Sequence, residues 1–212
     1  MLLHRGYTRL AGLDEAGRGA WAGPVSAAAV MLPVTDPLLP ERLRGVRDSK
    51  LCTPRQRDLL YEQVCQVALS WSVALIPALR IDDIGIVAAT REAMQEAVSQ
   101  LDPPPHALLI DALSLPSIDL PQRSLNKGDV TCLSIAAASI VAKVTRDRWM
   151  IAAGQAYPRY GFAKHKGYGT QHHWHALQEM GPLDLHRWYF APVSATAERM
   201  GIDSPRLQRR AK

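Results

Sequence analysis

Two short apolar runs, Leu10–Leu13 and Ala107–Ile110, each lead directly into an aspartate, Asp14 and Asp111, and helix-length segments lie between them. Strands that alternate with helices in this way argue for an α/β layer fold. Val25–Leu32, after Gly23-Pro24, reads as a second strand, although its alanines weaken that reading. Pro33, Pro37 and Pro40 mark a loop. Thr53-Pro54 opens a helix that runs to about Ser70, with Thr53 as N-cap and proline in the first turn. Trp71–Ile76 alternates like a strand, and a further helix spans about Asp83–Leu101, closed by Asp102 and Pro103–Pro105. Beyond Asp111 a loop leads to Asp129, then a long helix over about Cys132–Ala153. An aromatic, basic loop over Tyr157–Thr170, one or two more helices and a basic segment, Arg206–Lys212, follow.

A chain of 212 residues suits one domain, or one domain with a small appendage, and its 47% hydrophobic content can fill a core without staples. Cys52, Cys65 and Cys132 are scattered and form no C-x-x-C pair, which fits a reducing compartment. The N-terminus carries His4, Arg5 and Arg9 and lacks a signal-peptide core, and Leu133–Ala142 is too short to span a bilayer. A soluble cytoplasmic protein with no membrane association is expected. Charge is divided unevenly: residues 1–142 hold 13 Lys and Arg against 15 Asp and Glu, residues 143–212 hold 12 against 5. A basic C-terminal third beside a carboxylate-bearing remainder suits an enzyme acting on a polyanion, whereas charge alone would indicate only a solvated basic surface.

The carboxylates that stand where strands or helices begin or end are Asp14 with its neighbour Glu15, Asp111 and Asp129. Sites in open α/β sheets gather outside strand ends, so these side chains can converge. Four carboxylates in one pocket would repel each other and push some pKa values up. Two divalent cations would balance the charge, and hard oxygen donors favour Mg²⁺ or Mn²⁺ over zinc. Each aspartate also has an ordinary explanation as a turn or cap residue, and Asp129 is well placed to cap its helix. Asp14 and Glu15 would point to opposite faces of a regular strand. Both can serve one site only if the strand breaks at the glycines that follow, or if Glu15 acts through its backbone carbonyl.

The segment Leu13-Asp14-Glu15-Ala16-Gly17-Arg18-Gly19, followed by Ala22-Gly23-Pro24-Val25, resembles the N-terminal signature of the ribonuclease HII family. The resemblance continues in order through Asp48-Ser49-Lys50, Leu109-Ile110-Asp111, Lys127-Gly128-Asp129, Ser134–Asp147, His165-Lys166-Gly167-Tyr168, His186-Arg187 and Phe190–Val193. It implies a ribonuclease H-like fold, a mixed β-sheet flanked by helices with a C-terminal helical extension. The catalytic domain would then span residues 1–193 and a basic tail residues 194–212. It further implies metal-ligating, catalytic carboxylates at Asp14, Glu15, Asp111 and Asp129, with two Mg²⁺ or Mn²⁺ ions during catalysis. The implied substrates are the RNA strand of RNA–DNA hybrids and DNA duplexes with one embedded ribonucleotide, cut on its 5′ side to leave 3′-hydroxyl and 5′-phosphate ends. Gly17-Arg18-Gly19 would contact the 2′-hydroxyl, and Tyr168 would pack on the sugar of the following deoxynucleotide. Close backbone approach to a 2′-hydroxyl requires glycine. Lys50, Lys143 and Lys166 are expected phosphate contacts.

The sequence departs from the family pattern at Leu51, Cys52 and Thr53, where lysine, leucine and serine are usual, and at Tyr189, where serine is usual. The family-related ribonuclease HIII generally carries an extra N-terminal substrate-binding domain, for which the 13 residues before Asp14 leave no room. A silent binder of hybrids is disfavoured, because a surface built only for phosphates would exclude four carboxylates. Gly17-x-Gly19-x-x-Ala22 is not a dinucleotide fingerprint, since Gly23-Pro24 and a strand follow where a helix should open. His172, His173 and His175 read as a surface helix, and Ser139 and Lys143 as part of a packed helix face. The protein is expected to be a monomer. The basic tail is open to DNA binding, docking on a replication protein, or disorder.

Overall fold

A computed structural model of the chain describes residues 5–205. Its strands are β1 Leu10–Ala16, β2 Val25–Met31, β3 Ser70–Ile76, β4 Ala107–Asp111 and β5 Gln122–Leu125. They form one mixed sheet in the order β3-β2-β1-β4-β5, with β1 antiparallel to β2 and parallel to β4, and β4 parallel to β5. The helices among the described residues are α1 Leu39–Arg42, α2 Pro54–Val67, α3 Ala78–Ile84, α4 Ile86–Ser99, α5 Gly128–Thr131, α6 Leu133–Ala156, α7 Phe162–His165, α8 Gln171–Met180 and α9 Ala191–Met200.

Packing divides the chain into two compact units. The first holds the described residues up to Ala16, with Ser26–Ala74 and Thr90–Thr145; the second holds Gly17–Val25, Leu75–Ala89 and the described residues from Arg146 on. In the first unit α6 lies on the sheet. Every residue of β2 is buried, and Ala28, Val30 and Leu32 pack with Ala137, Ala138, Val141 and Ala142 of α6. The alanines that weaken β2 as a strand by propensity are what let this helix come close. The approach is tightest at Gly12, where a Cβ would stand 2.2 Å from the Ser134 carbonyl carbon. Ser26 Oγ, also buried, donates to the Ala142 carbonyl at 2.9 Å. The second unit has its own apolar cluster, in which Ala22, Met150, Tyr160, Phe162 and Ala176 pack together.

Several segments differ from the sequence expectation. The helix expected over residues 83–101 is two helices, because Gly85 (φ +81°, ψ +157°) leaves the helical region between α3 and α4. The loop after Asp111 contains β5, whose residues Gln-Arg-Ser-Leu show no apolar alternation. The loop expected over Tyr157–Thr170 holds a 3₁₀ turn, Pro158–Tyr160, and α7. The basic segment Arg206–Lys212 lies outside the described residues. Thr53 caps α2 as expected: its Oγ1 accepts from the Gln56 amide at 3.3 Å, and Gln56 Oε1 accepts from the Thr53 amide at 2.8 Å. Among the described residues, no helix is long and apolar enough to cross a membrane.

Candidate active site

Parallel pairing aligns the two strands that carry aspartates, with Leu13 of β1 beside Ile110 of β4. Neighbouring residues in register on parallel strands face the same side. Asp14 and Asp111, each one step further on, therefore emerge side by side at the carboxyl ends of adjacent strands. Asp14 is 5% exposed, and its Oδ1 accepts from the Glu15 amide at 2.7 Å. Ser139 of α6 hydrogen-bonds the same carboxylate. Asp111 Oδ1 accepts from the Gly128 amide at 2.7 Å, which ties the end of β4 to the start of α5. Gly128 is closely packed, for a Cβ there would stand 2.5 Å from the end of the Ile135 side chain and 3.2 Å from Leu125 Cβ.

Asp129 is buried in the first turn of α5, but it is not the cap. The N-cap position belongs to Lys127 (φ +57°), which makes no side-chain cap bond. The ordinary explanation of Asp129 as a helix cap therefore does not apply. Instead Asp129 Oδ2 lies 3.9 Å from Lys50 Nζ.

These groups act on one another through the field. Burial, the neighbouring Glu15 charge and Asp111 together push the Asp14 carboxyl up to about 8, against the hydrogen bonds from Ser139 and the Glu15 amide. Burial, Asp48 and Asp111 hold Asp129 above its ordinary value despite Lys50. For Lys50, burial lowers the pKa, yet Asp48, Asp14, Asp129 and Asp111 outweigh it and the net shift is upward. Asp48 was not among the expected site residues. It accepts from the Lys50 amide at 2.9 Å, closing the 3₁₀ turn Ser49–Leu51. The only sequence signal for it was its place beside Ser49-Lys50.

Glu15 behaves differently. β1 continues in unbroken register with β2 through Ala16, with Glu15 opposite Ala27. Alternation then puts its side chain on the face opposite Asp14, so the break that would bring both into one pocket is not observed. Lys50 is exposed above the carboxylates rather than apart from them. Lys143, half-buried, lies on α6 of the first unit, whereas Lys166 lies in the second unit, where its Nζ donates to the Ala163 carbonyl.

In the second unit two buried arginines shape the glycine-rich turn. Arg146 donates to the carbonyls of Pro24 (2.8 Å), Ala22 (3.1 Å) and Lys166 (2.9 Å). Arg187 donates to those of Gly23 (3.1 Å) and Arg18 (2.7 Å). Gly17 (φ +90°) packs against this scaffold, and a Cβ on it would stand 1.9 Å from Arg146 Nε. Among the described residues, no atom lies within 4 Å of where a Gly19 Cβ would be, and Gly19 is exposed. Tyr168 lies with Arg146 Cζ 5.4 Å from its ring centre. Both arginines stand in motifs quoted for the resemblance, but nothing in their spacing distinguishes a buried carbonyl anchor from a phosphate contact. His173, expected on a surface helix, is fully buried, while His172 and His175 are exposed. Tyr189, one of the departures from the family pattern, points outward at 57% exposure with its ring edge against Phe190. The Trp188 and Tyr189 amides donate to the Asp82 carboxylate at 2.9 and 3.2 Å.

The family model described as "Ribonuclease HII" matches residues 11–193, from the first strand into α9. The chain belongs to the ribonuclease HII family. Ribonuclease HII of Roseiflexus castenholzii is 56% identical over 89% of this chain and 84% of its own length. The ribonuclease H2 structure from Pyrococcus horikoshii aligns with a TM-score of 0.79 at 27% identity, covering 92% of this chain and all of that one. Ribonuclease HII of Archaeoglobus fulgidus, solved in complex with PCNA, aligns with a TM-score of 0.74 at 25% identity, covering 86% of this chain and 95% of that one. The expected fold is therefore the observed one, a mixed sheet flanked by helices. The protein is a metal-dependent hydrolase, an endoribonuclease of the ribonuclease H type that acts on RNA–DNA hybrids.

Among the described residues, no three Asp, Glu, His or Cys side chains are drawn into a ready-made metal cage. The chemistry of the donor set nonetheless fits a hard divalent cation. The clustered groups are carboxylates, and burial together with the Glu15 and Asp111 charges raises Asp14 to about 8, a conflict that a bound divalent cation would relieve.

Proposed function

We propose that this enzyme incises DNA duplexes immediately 5′ of a single embedded ribonucleotide, as well as cutting hybrids, and leaves 3′-hydroxyl and 5′-phosphate ends. The observation that carries the reading is the contrast between Gly17 and Gly19. Gly17 is demanded by the fold, through its positive φ and the Arg146 side chain. Among the described residues, no atom requires a glycine at 19, which leaves an exposed backbone suited to a ligand that must come close. A single ribonucleotide barely alters duplex shape, so recognition must reach one 2′-hydroxyl directly. A site that hydrogen-bonds a hydroxyl rejects the analogue lacking it, since its own groups are then stranded. Tyr168 is the proposed partner of the following deoxyribose, where a ring held in place leaves no room for an extra hydroxyl.

Asp14, Asp111 and Asp129 would hold Mg²⁺ or Mn²⁺, two ions during catalysis, with Glu15 contributing through its backbone carbonyl. When bound, such ions supply charge neutralisation, an activated water and stabilisation of the leaving 3′-oxygen. The protein's own part is to keep the carboxylates oriented. The Glu15 and Gly128 amides and Ser139 fix Asp14 and Asp111, and α5 fixes Asp129. Lys50, Lys143 and Lys166 are proposed phosphate contacts, which position a duplex without reading it. We place the enzyme in the cytoplasm as a monomer working in replication and repair of DNA. Arg206–Lys212 are the proposed contact for DNA or a replication protein.

Cleavage of three labelled duplexes tests the reading: a hybrid, a DNA duplex with one ribonucleotide, and plain DNA. The first two should be cut, the second once, immediately 5′ of the ribonucleotide. Replacing that sugar with its 2′-deoxy or 2′-O-methyl form should stop the cut. An enzyme that needs several consecutive ribonucleotides would overturn the single-hydroxyl mechanism.

A further inference from the structure

The second unit contains a group of buried imidazoles to which the ribonuclease reading assigns no role. His165 is 8% exposed, and His173 and His186 are fully buried. His173 Nε2 and His186 Nε2 face each other at 3.1 Å, and the rings of His165 and His173 stack with centres 4.5 Å apart, 12° from parallel.

Backbone groups of fixed polarity end each chain of bonds, and this determines where the protons sit. His186 Nδ1 accepts from the Leu183 amide at 2.9 Å, so its proton is on Nε2. That N–H must donate to His173 Nε2, which is therefore bare, and the His173 proton is on Nδ1. From there it donates to the Tyr168 carbonyl at 3.0 Å. The Gly167 amide donates to His165 Nδ1 at 3.2 Å, and His165 Nε2–H donates to the Tyr160 carbonyl at 2.7 Å. Two imidazoles thus grip successive backbone groups, the Gly167 amide and the Tyr168 carbonyl. Gly167 itself is at φ +81°, and a Cβ there would meet the Ala22 carbonyl oxygen at 2.3 Å. On its other side the Tyr168 ring faces Arg146.

We propose that His173, held in its Nδ1–H tautomer by His186, is a positioning residue that sets the Tyr168 ring for the sugar on the 3′ side of the ribonucleotide. The inference rests on the reading of Tyr168 given above. The relay works only with neutral rings, because a second proton between His173 and His186 would set two N–H groups against each other. Neutrality is what the surroundings enforce. Burial and the other imidazoles hold His173 down at about 4 and His186 at about 3, and burial likewise lowers His165. The titratable groups that act on these rings are one another, His172 and Lys166. The rings of Trp21, Tyr160 and Phe162 pack around them. His173 is thereby a specificity element that never touches the substrate.

The test is a mutant cycle on the full chain, with thermal unfolding followed in parallel. kcat/KM is measured on a single-ribonucleotide duplex and on an all-RNA hybrid for His173→Leu, His173→Asn, Tyr168→Ala and the doubles. His173→Leu should lower kcat/KM at the single ribonucleotide by on the order of tenfold, one hydrogen bond's worth, and by less on the hybrid. The Asn amide nitrogen can stand where Nδ1 stands and donate to the Tyr168 carbonyl, so His173→Asn should keep most of the activity. In the Tyr168→Ala background neither substitution should cost anything further. Fully additive losses, or an Asn variant no better than Leu, would overturn the assignment. Should Tyr168→Ala itself leave cleavage unchanged, the Tyr168 reading fails and the specificity role of His173 fails with it, whereas nitrogen NMR of the wild-type imidazoles tests the tautomer relay separately. That spectrum should place the protons on His173 Nδ1, His186 Nε2 and His165 Nε2, and it also decides the matter if His173→Leu fails to fold. A proton on His173 Nε2 would remove the relay.

Discussion

The sharpest consequence of the carboxylate cluster is that removing a catalytic charge should stabilise the metal-free fold. Asp14 rises from an ordinary 3.8 to about 8 in the folded protein. A raised carboxylate favours its protonated form in the fold, so the stability it contributes is fully present below pH 3.8 and is lost as pH rises toward 8. At pH 7 roughly three of those pKa units have been spent, at about 1.4 kcal/mol each, a cost near ~4 kcal/mol. Asp14→Asn removes the charge and keeps the shape. Its carbonyl oxygen can still accept from the Glu15 amide, and its amide can donate to Ser139, whose hydroxyl donates on to Ser49 at 2.9 Å. Burying the amide takes back part of the gain, which leaves about 2 kcal/mol and a rise in Tm of about 4–8 °C for a chain of this size. Thermal unfolding in EDTA from pH 4 to pH 8 measures it. The advantage of the variant should grow with pH, vanish at about pH 5, where the ionisation cost only matches the cost of burying the amide, and reverse at about pH 4. Added Mn²⁺ should raise the Tm of the wild type and close the gap, while the variant loses most cleavage. A variant equal to or less stable than wild type at pH 7 in EDTA, or a gap that ignores pH, would refute the reasoning.

The two glycines of the turn should separate fold from function. Gly17→Ala should lower Tm, because its Cβ would strike the Arg146 side chain at a positive φ. Gly19→Val should leave Tm within about 1–2 °C of wild type and cut single-ribonucleotide cleavage sharply. Equal Tm losses in the two variants would show that both glycines are structural. Arg146→Met should cost about 3 kcal/mol or more, read from urea unfolding, since the carbonyls of Ala22, Pro24 and Lys166 lose their buried donor. Lys143→Ala and Lys166→Ala should each weaken duplex binding and reduce the slope of log Kd against log salt by about one, with the choice of sugar unchanged. An unchanged slope would remove that lysine from the phosphate contacts.

What was legible in the sequence is what local patterns can carry. β1, β4 and the aspartates at their ends stood out because apolar runs stop there, and Thr53 announced its helix because a cap is chemistry between residues three apart. β5 was invisible. Its Gln-Arg-Ser-Leu has no apolar face, and it is a strand because β4 offers it a parallel edge, with Asp111 in register with Leu125. Convergence of the carboxylates was likewise beyond spacing alone, since it depends on Leu13 lying beside Ile110 across nearly a hundred residues of chain. The same distinction explains the polar residues that were misplaced. His173 shares a short helix with exposed His172 and His175, and the sequence does not state that its ring is needed by a carbonyl five residues earlier. Arg146 and Arg187 count toward the charge of the basic C-terminal third. Their guanidinium groups are nonetheless buried on carbonyls of the turn between residues 18 and 24. Charge composition pointed to the right class of substrate but not to which cations meet it. A cation buried on carbonyls and one exposed to phosphate are identical in a sequence, and only packing separates them.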